Sequence, residues 1–262
     1  MSSLRLIQFT DLHLFGTEAG RLRGVNTYET LMATLDRARR DHWPPDALLV
    51  TGDLVQDDIA GYALFRRVFG ALKLPVYCLP GNHDDAQALK RSLASAPFET
   101  CAHVDRDGWR IVLLDSSVRG SARGHLTAES LASLEASLGT ADGRHVLVCL
   151  HHHPVQMHSR WLDTVGLDNA PDFWRIVDAS RSVRGVLWGH VHQSFEGMRG
   201  NVRLLATPST CAQFVPRGVD FEIDSQPPAY RVLALSADGS IETQIVWVSS
   251  LAESRTPVPS AA

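Results

Sequence analysis

The sequence predicts an α/β fold with a C-terminal β-hairpin, and three features carry that reading: short apolar runs, helix-period segments between them, and polar clusters just past the C-terminal ends of the runs. The runs LRLIQF, ALLVTG, VYCLPG, RIVLLD, HVLVCL, GVLWG and VRLLAT are β-branched or Leu-rich and end in Gly or polar residues, which marks each as a buried strand. Asn26 to Arg40 reads as the first helix, with Asn26 and Glu29 spaced as in a capping box. Further helices are expected over 59–72, 85–95, 127–138 and 171–181, so the order is mostly βαβ. Near the end, 230–235 and 241–248 flank Ser-Ala-Asp-Gly-Ser and read as the two arms of a hairpin. One domain is expected over 1–250, followed by a flexible tail over 251–262.

Composition narrows the function classes. Lys and Arg number 25 against 29 Asp and Glu, and 44% of residues are hydrophobic and 21% charged, values of an ordinary globular chain that exclude a disordered or collagen-like one. No run approaches the roughly 18 apolar residues of a membrane span, and Met-Ser-Ser followed by a strand-like segment lacks the layout of a signal peptide. A cytoplasmic protein is therefore expected. Cys78, Cys101, Cys149 and Cys211 form no CxxC pair, which argues against disulfides and a thiolate zinc site. The net charge of −4 argues against a broad nucleic-acid groove, so any anionic ligand needs a local positive centre.

The polar clusters supply one. Asp11-Leu12-His13 follows the first run, Gly52-Asp53 the second, Gly81-Asn82-His83-Asp84 the third, His151-His152-His153-Pro154 follows HVLVCL, and Gly189-His190-Val191-His192 follows GVLW. Open α/β sheets build their sites at such strand ends. Carboxylate, amide and imidazole ligands without thiolates suit Mn, Fe, Co or Zn. Asp11, His13, Asp53, Asn82, His151, His190 and His192 exceed the needs of one ion but divide well over two if one carboxylate bridges. The Asp-x-His and His-x-His spacings would place each pair on one side of an extended chain. Two divalent ions and two carboxylates leave about +2, reduced to about +1 by a bridging hydroxide, a centre suited to an anionic phosphodiester. Lowering the pKa of water from 15.7 to about 7 makes hydroxide available to the extent of up to ~12 kcal/mol, so no Ser or Cys nucleophile is required. His83 could then protonate the leaving alkoxide, with Asp84 fixing its orientation.

The ordered set Asp11-x-His13, Gly52-Asp53, Gly81-Asn82-His83-Asp84, His151 and Gly189-His190-x-His192 resembles the calcineurin-like metallophosphoesterase superfamily over about residues 4–210. The resemblance implies a four-layer α/β/β/α sandwich. It implies that Asp11, His13, Asp53 and His192 hold one metal and Asp53, Asn82, His151 and His190 the other, with Asp53 bridging. His13, Asp53, Asn82, His83 and His192 would also face the substrate. Within the superfamily, DLHLF, GVNTYE, LHHHP, SRWLD, LDN and LLATPSTCAQF are similar to bacterial class III 3′,5′-cyclic-AMP phosphodiesterases. That similarity implies hydrolysis of cyclic AMP to 5′-AMP by in-line attack of a metal-bridging hydroxide.

In LHHHP, aligning on the strand makes His151 the ligand and His152 and His153 supporting residues. His42, His103, His125, His145 and His158 have no ligand-like company and are read as local. The loop 156–170 is long for a connection and is a candidate lid, on which Trp161 either stacks on a purine or packs beneath the loop, and Asn169 could read a base edge. The rivals to a cyclic-nucleotide phosphodiesterase are a glycerophosphodiesterase or nucleotide pyrophosphatase of the same chemistry and, from another class, a non-catalytic metal-bound interaction module. Asp53→Ala or Asn82→Ala is expected to abolish phosphodiester hydrolysis through loss of metal, as elemental analysis and assay of the same samples would show; a metal-free variant with full turnover would overturn the ligand reading.

Overall fold

Alternation along single strands sorts the side chains into separate apolar layers. In the strand Leu4–Phe9, Leu4 and Leu6 enter one core while Ile7 and Phe9 enter another, as a side-chain period of two requires. The computed structural model describes residues 3–100 and 102–248, and the tail expected over 251–262 lies outside them. One six-stranded sheet runs, edge to edge, Ile241–Trp247, Ala229–Leu235, Leu4–Phe9, Ala47–Thr51, Val76–Leu79, Phe98–Glu99; the other runs Phe195–Arg199, Val202–Ala206, Val183–Trp188, His145–Cys149, Trp109–Leu113, His103–Arg106. The pairings within Leu4–Phe9 to Phe98–Glu99, and those from Val202–Ala206 to Trp109–Leu113, are parallel. The C-terminal hairpin and the edge strands His103–Arg106 and Phe195–Arg199 pair antiparallel.

Three apolar clusters separate four layers. Leu6, Leu49 and Tyr77 of the first sheet meet Trp109, Ile111, Leu147 and Leu187 of the second. On the outer face of the first sheet, helices α1 (Thr27–Asp41), α2 (Gly61–Gly70) and α3 (Ala86–Ser92) bring Leu31, Phe65, Phe69 and Leu89 against Phe9, Val50 and Cys78. On the outer face of the second, α4 (Ala128–Gly139) and α5 (Ala170–Ala179) bring Leu134, Phe173 and Val177 against Val148, Val186 and Trp188. The expected α/β/β/α order with a C-terminal hairpin is thus the order observed.

Local chemistry sets the boundaries. Asn26 caps α1 by accepting from Glu29 N at 3.1 Å. α2 starts at Gly61 rather than Ile59 because Asp58 engages the preceding turn through Ala60 N at 3.0 Å and Gly16 N. The edge strands HVDR and FEGMR escape a hydrophobic-run reading because none of their residues is fully buried and charged residues interrupt both, the usual protection of sheet edges.

A buried polar chain crosses the space between the sheets just below their C-terminal ends. Gln8 donates to Thr51 Oγ1 at 2.7 Å and accepts from Thr207, whose hydroxyl also receives Arg231 Nε at 3.0 Å. The fully buried Arg231 further donates to Ala206 O and Thr243 Oγ1, each at 2.8 Å, and to Glu196 at 3.0 Å. It ties the hairpin to the second sheet. Removing it orphans buried acceptors and leaves a void, whereas Glu196, half exposed, loses little. Arg231→Ala is therefore expected to cost about 3 kcal/mol in urea unfolding, and a loss below about 1 kcal/mol would show that the chain is dispensable.

Candidate metal centre

Three of the strands that reach the site, Leu4–Phe9, Ala47–Thr51 and Val183–Trp188, end in an abrupt turn. Asp11 (φ 53°), His13 (49°), Asp53 (50°), His190 (66°) and His192 (48°) all occupy the left-handed region, which costs a non-glycine residue about 1–3 kcal/mol and persists only where surrounding structure enforces it. The extended geometry expected for Asp11-x-His13 and His190-x-His192 is therefore corrected: left-handed turns, held by Asp11 N to Gly52 O (3.1 Å) and His13 N to Asp53 O (2.9 Å), bring the side chains together. Two glycines make the approach possible. A Cβ on Gly52 would lie 2.2 Å from His151 Nδ1, and one on Gly81 2.2 Å from Asp53 Oδ1.

All seven residues expected as ligands reach one buried space. Asp53 Oδ2 lies 3.3 Å from His151 Nε2 and 3.8 Å from His13 Nε2, while Asp11 Oδ1 lies 3.3 Å from His192 Nε2 and 3.9 Å from His151 Nε2. Asn82 Oδ1 stands 3.2 Å from His151 Nε2. Main-chain carbonyls select the ring tautomers: His151 Nδ1 donates to Thr51 O (2.8 Å), His192 Nδ1 to Ala212 O (2.5 Å) and His190 Nε2 to Val165 O (3.1 Å). Each ring then turns its other nitrogen into the site. His13 Nε2 and His192 Nε2 face each other at 3.2 Å, and the buried His13 Nδ1 has no partner. Lone pairs aimed at one another with few protons between them fit cations. Asp11/His13/His192, His13/Asp53/His83 and Asp53/His151/His190 each gather ligand atoms within 4.8 Å, with Asp53 common to two groups.

The electrostatics agree. Burial opposes ionisation of Asp11, but the His192 and His151 rings outweigh it and hold that carboxyl below its ordinary range; burial opposes ionisation of Asp53 too, and His151 and His13 hold it lower still. Burial drives His13 down to about 4 and His190 well below its usual value, so both rings stay neutral and keep their lone pairs. For His151 the burial penalty is overcome by the charges of Asp53 and Asp11, which raise it to about 9. That proton occupies the place in the charge balance that a divalent ion fills.

The expected Asp84–His83 contact is not formed, and the role given to Asp84 changes. Its carboxylate accepts from Leu54 N (3.1 Å), Val55 N (3.3 Å), Gly81 N (2.9 Å) and Tyr62 OH (2.9 Å), clamping the loops after two strands together. Burial and the nearby Asp53 charge push it up to about 7. His83 is held instead by Asp57: Nδ1 lies 2.9 Å from Asp57 Oδ2, which also receives Gln56 Nε2 at 2.7 Å. The His83 main-chain N donates to Asp53 Oδ1 at 2.9 Å, tying this loop to the shared carboxylate. Asp57 sits four residues after Asp53 in DLVQD, and that spacing was the available signal. The carbonyls of Thr51, Val165 and Ala212 left none, since every residue has one.

The remaining histidines divide as follows. His152 turns to Ser116 Oγ (2.8 Å) and His153 lies nearly parallel to the His190 ring at 5.7 Å. His42 meets Tyr230 OH at 2.8 Å, His125 meets Asp168 at 2.6 Å and His145 meets Ala237 O at 3.1 Å, all outside the cluster. In the loop 156–170, Trp161 packs edge-on against Phe214 and Phe221 at 5.4 and 5.2 Å. Asn169 binds the Leu126 main chain through both ends of its amide, at 3.0 and 2.9 Å, so it is not available to read a base.

Two facing sheets with a histidine–aspartate centre at their strand ends define a metal-dependent phosphoesterase, and the profile of the calcineurin-like phosphoesterase family matches residues 4–194: the chain belongs to that family, whose members use divalent metal ions. It is 39% identical over 251 residues to the 3′,5′-cyclic adenosine monophosphate phosphodiesterase CpdA of Pseudomonas aeruginosa, covering 95% of this chain and 92% of that one. It is also 39% identical to the protein of the same name from Escherichia coli K12, over 92% of this chain and 89% of that one. The crystal structure of a dimetal phosphatase from Danio rerio shares the fold at a TM-score of 0.62 with 14% identity, covering 95% of this chain and all of that one.

If Asp57 holds His83 for proton transfer, Asp57→Asn should keep its metal and lose about tenfold in kcat on an alkyl diester, with a much smaller loss on a p-nitrophenyl diester whose leaving group needs no proton. Equal losses on both would remove Asp57 from that role.

Proposed function

We propose that this protein hydrolyses 3′,5′-cyclic AMP to 5′-AMP. The observation that carries the proposal is the Asp53 carboxylate, shared between two groups of potential ligands on one oxygen and tied to the His83 loop on the other. Asp11, His13, Asp53 and His192 would hold one ion and Asp53, Asn82, His151 and His190 the second, with Mn, Fe, Zn and Co all compatible with these donors. When bound, the ions supply positive charge for the phosphoryl oxygens and make hydroxide available near neutral pH.

The chain's own residues do the rest. A cavity of about 250 Å³ opens on His13, Asp53, Asn82, His83 and His192, which supports their meeting the phosphodiester. As hydroxide bonds to phosphorus and the P–O3′ bond breaks, His83 delivers a proton from Nε2 to the departing 3′ oxygen. Asp57, whose Oδ2 lies 2.9 Å from Nδ1, holds the ring in line. Asp84 contributes by clamping the loops that carry Asp53 and Asn82.

The cyclic-nucleotide reading is supported by the activity named for the curated relatives, which align over nearly the whole chain. The same reading includes a single domain over 1–250 with the loop 156–170 beside the cavity, and a cytoplasmic location, supported by the free, buried Cys78, Cys149 and Cys211. No helix of the described residues is long and apolar enough to cross a membrane.

The test is a substrate panel on Mn²⁺-loaded protein: cyclic AMP, cyclic GMP, bis(p-nitrophenyl) phosphate, glycerophosphodiesters and single-stranded DNA, with Asn82→Ala as the blank and His83→Ala as the probe. Efficient cyclic AMP turnover is expected, absent in the blank and slowed about 100-fold in a metal-replete His83→Ala. Turnover of the glycerophosphodiesters or the activated diester alone would replace the substrate while keeping the metal chemistry.

A further inference from the structure

Two cavities open from the metal centre, and Asn82 and His83 line both. Their walls differ in kind. The one on the His83 side, about 430 Å³, is walled by Asp57, Asp58, Asp84, Asp85 and Asp115, and His83 supplies its sole aromatic ring among the described lining residues. The one on the His192 side, about 250 Å³, is walled by Leu22, Arg23, Trp161, Phe214, Phe221 and Ile223.

We propose that this aromatic arm is the nucleobase site, with Phe221 and Trp161 as the rings that a purine meets. The proposal rests on the cyclic-nucleotide reading above and names the residues that bind the part of the substrate the metal centre does not touch.

The arm is continuous with the reaction site. The Phe214 ring stacks on the ring of His192, with centroids 3.9 Å apart and planes 9° from parallel, so the aromatic wall begins one ring away from a metal-ligand candidate. Phe214 then meets Trp161 and Phe221 edge-to-face, at 5.4 and 5.1 Å, and Trp161 meets Phe221 at 5.2 Å. These three rings come from separate parts of the chain: the loop after His153 and the two sides of the small ladder that pairs Phe214 with Ile223.

The cluster is not simply core. Phe221 is 38% exposed and Ile223 39%, and both face the cavity, which leaves apolar surface in water beside the reaction site. From the opposite side the Arg23 guanidinium lies 4.4 Å from the centre of the Phe221 ring, held out by the tight turn between Leu22 and Val25. A flat, polarisable heterocycle fits such a wall, because every base has a π-face that an aromatic ring or a guanidinium can cover. The acidic arm has no such cluster of aromatic rings among its described lining residues. Leu22, Phe214, Phe221 and Ile223 give the arm its apolar surface, on which a base is held by stacking.

The experiment compares cyclic AMP with ribose 3′,5′-cyclic phosphate, the same diester without a base, in the metal-loaded wild type, Phe221→Ala and Phe221→Tyr. In the wild type kcat/KM for cyclic AMP should exceed that for the baseless compound by at least about tenfold. In Phe221→Ala this ratio should fall about tenfold, chiefly through KM for cyclic AMP, and in Phe221→Tyr it should recover. Because Phe221 sits at the exposed rim, its truncation leaves the metal ligands and their carbonyl partners in place, which metal content of the variant checks. Cyclic AMP turnover with a ratio that Phe221→Ala does not move overturns the base site alone. A wild type that hydrolyses neither cyclic phosphate yet turns over glycerophosphodiesters overturns the cyclic-nucleotide reading beneath it.

Discussion

Two ionised carboxylates, Asp11 and Asp53, lie side by side at 0% and 2% exposure, and much of the structure answers the cost of holding them there. Isolated charges are not tolerated in an apolar interior. Here they are surrounded by histidine rings and by main-chain donors, with His190 N on Asp11 and His83 N on Asp53. The same two carboxylates raise His151 to about 9, the reciprocal side of that balance.

That constraint explains the backbone. Ligands carried by strands that remained extended would alternate between the two faces of each sheet, with half of them lost to the helix layers. Left-handed turns at Asp11, His13, Asp53, His190 and His192 redirect the side chains into the gap between the two sheets, at an energetic cost that the parallel sheets beneath must bear. The Gln8–Thr207–Arg231 chain stiffens this region by joining the hairpin, the first strand and the second sheet immediately under the turns.

The same arrangement separates two surroundings at one edge of the sheets. On one side Asp57 and His83 form an ion pair at the edge of an acidic cleft. On the other, Phe214 begins an apolar wall directly against His192. The acidic and the aromatic clefts thus meet at Asn82 and His83, which line both.

Much of this was legible in the residues. The apolar runs fall on observed strands, Asn26 caps its helix as the capping-box spacing suggests, and the strand-end clusters do converge, because periodicity, capping and residue type are local properties. The charged edge strands were not legible, since they bury too little to show a hydrophobic pattern. Nor was the division of labour in the Gly81–Asp84 loop: adjacency pointed to Asp84 as the partner of His83, whereas the fold spends Asp84 on main-chain amides of another loop and brings Asp57 across instead. Sequence alone determined the elements, their order along the chain and the ligand types, each written in short-range pattern, while the four layers followed from the family resemblance. Only the tertiary structure decided which carbonyl sets each histidine tautomer, which acid holds His83 and which rings line the cavity beside His192, because those depend on contacts between segments up to about two hundred residues apart, where sequence spacing carries no geometry.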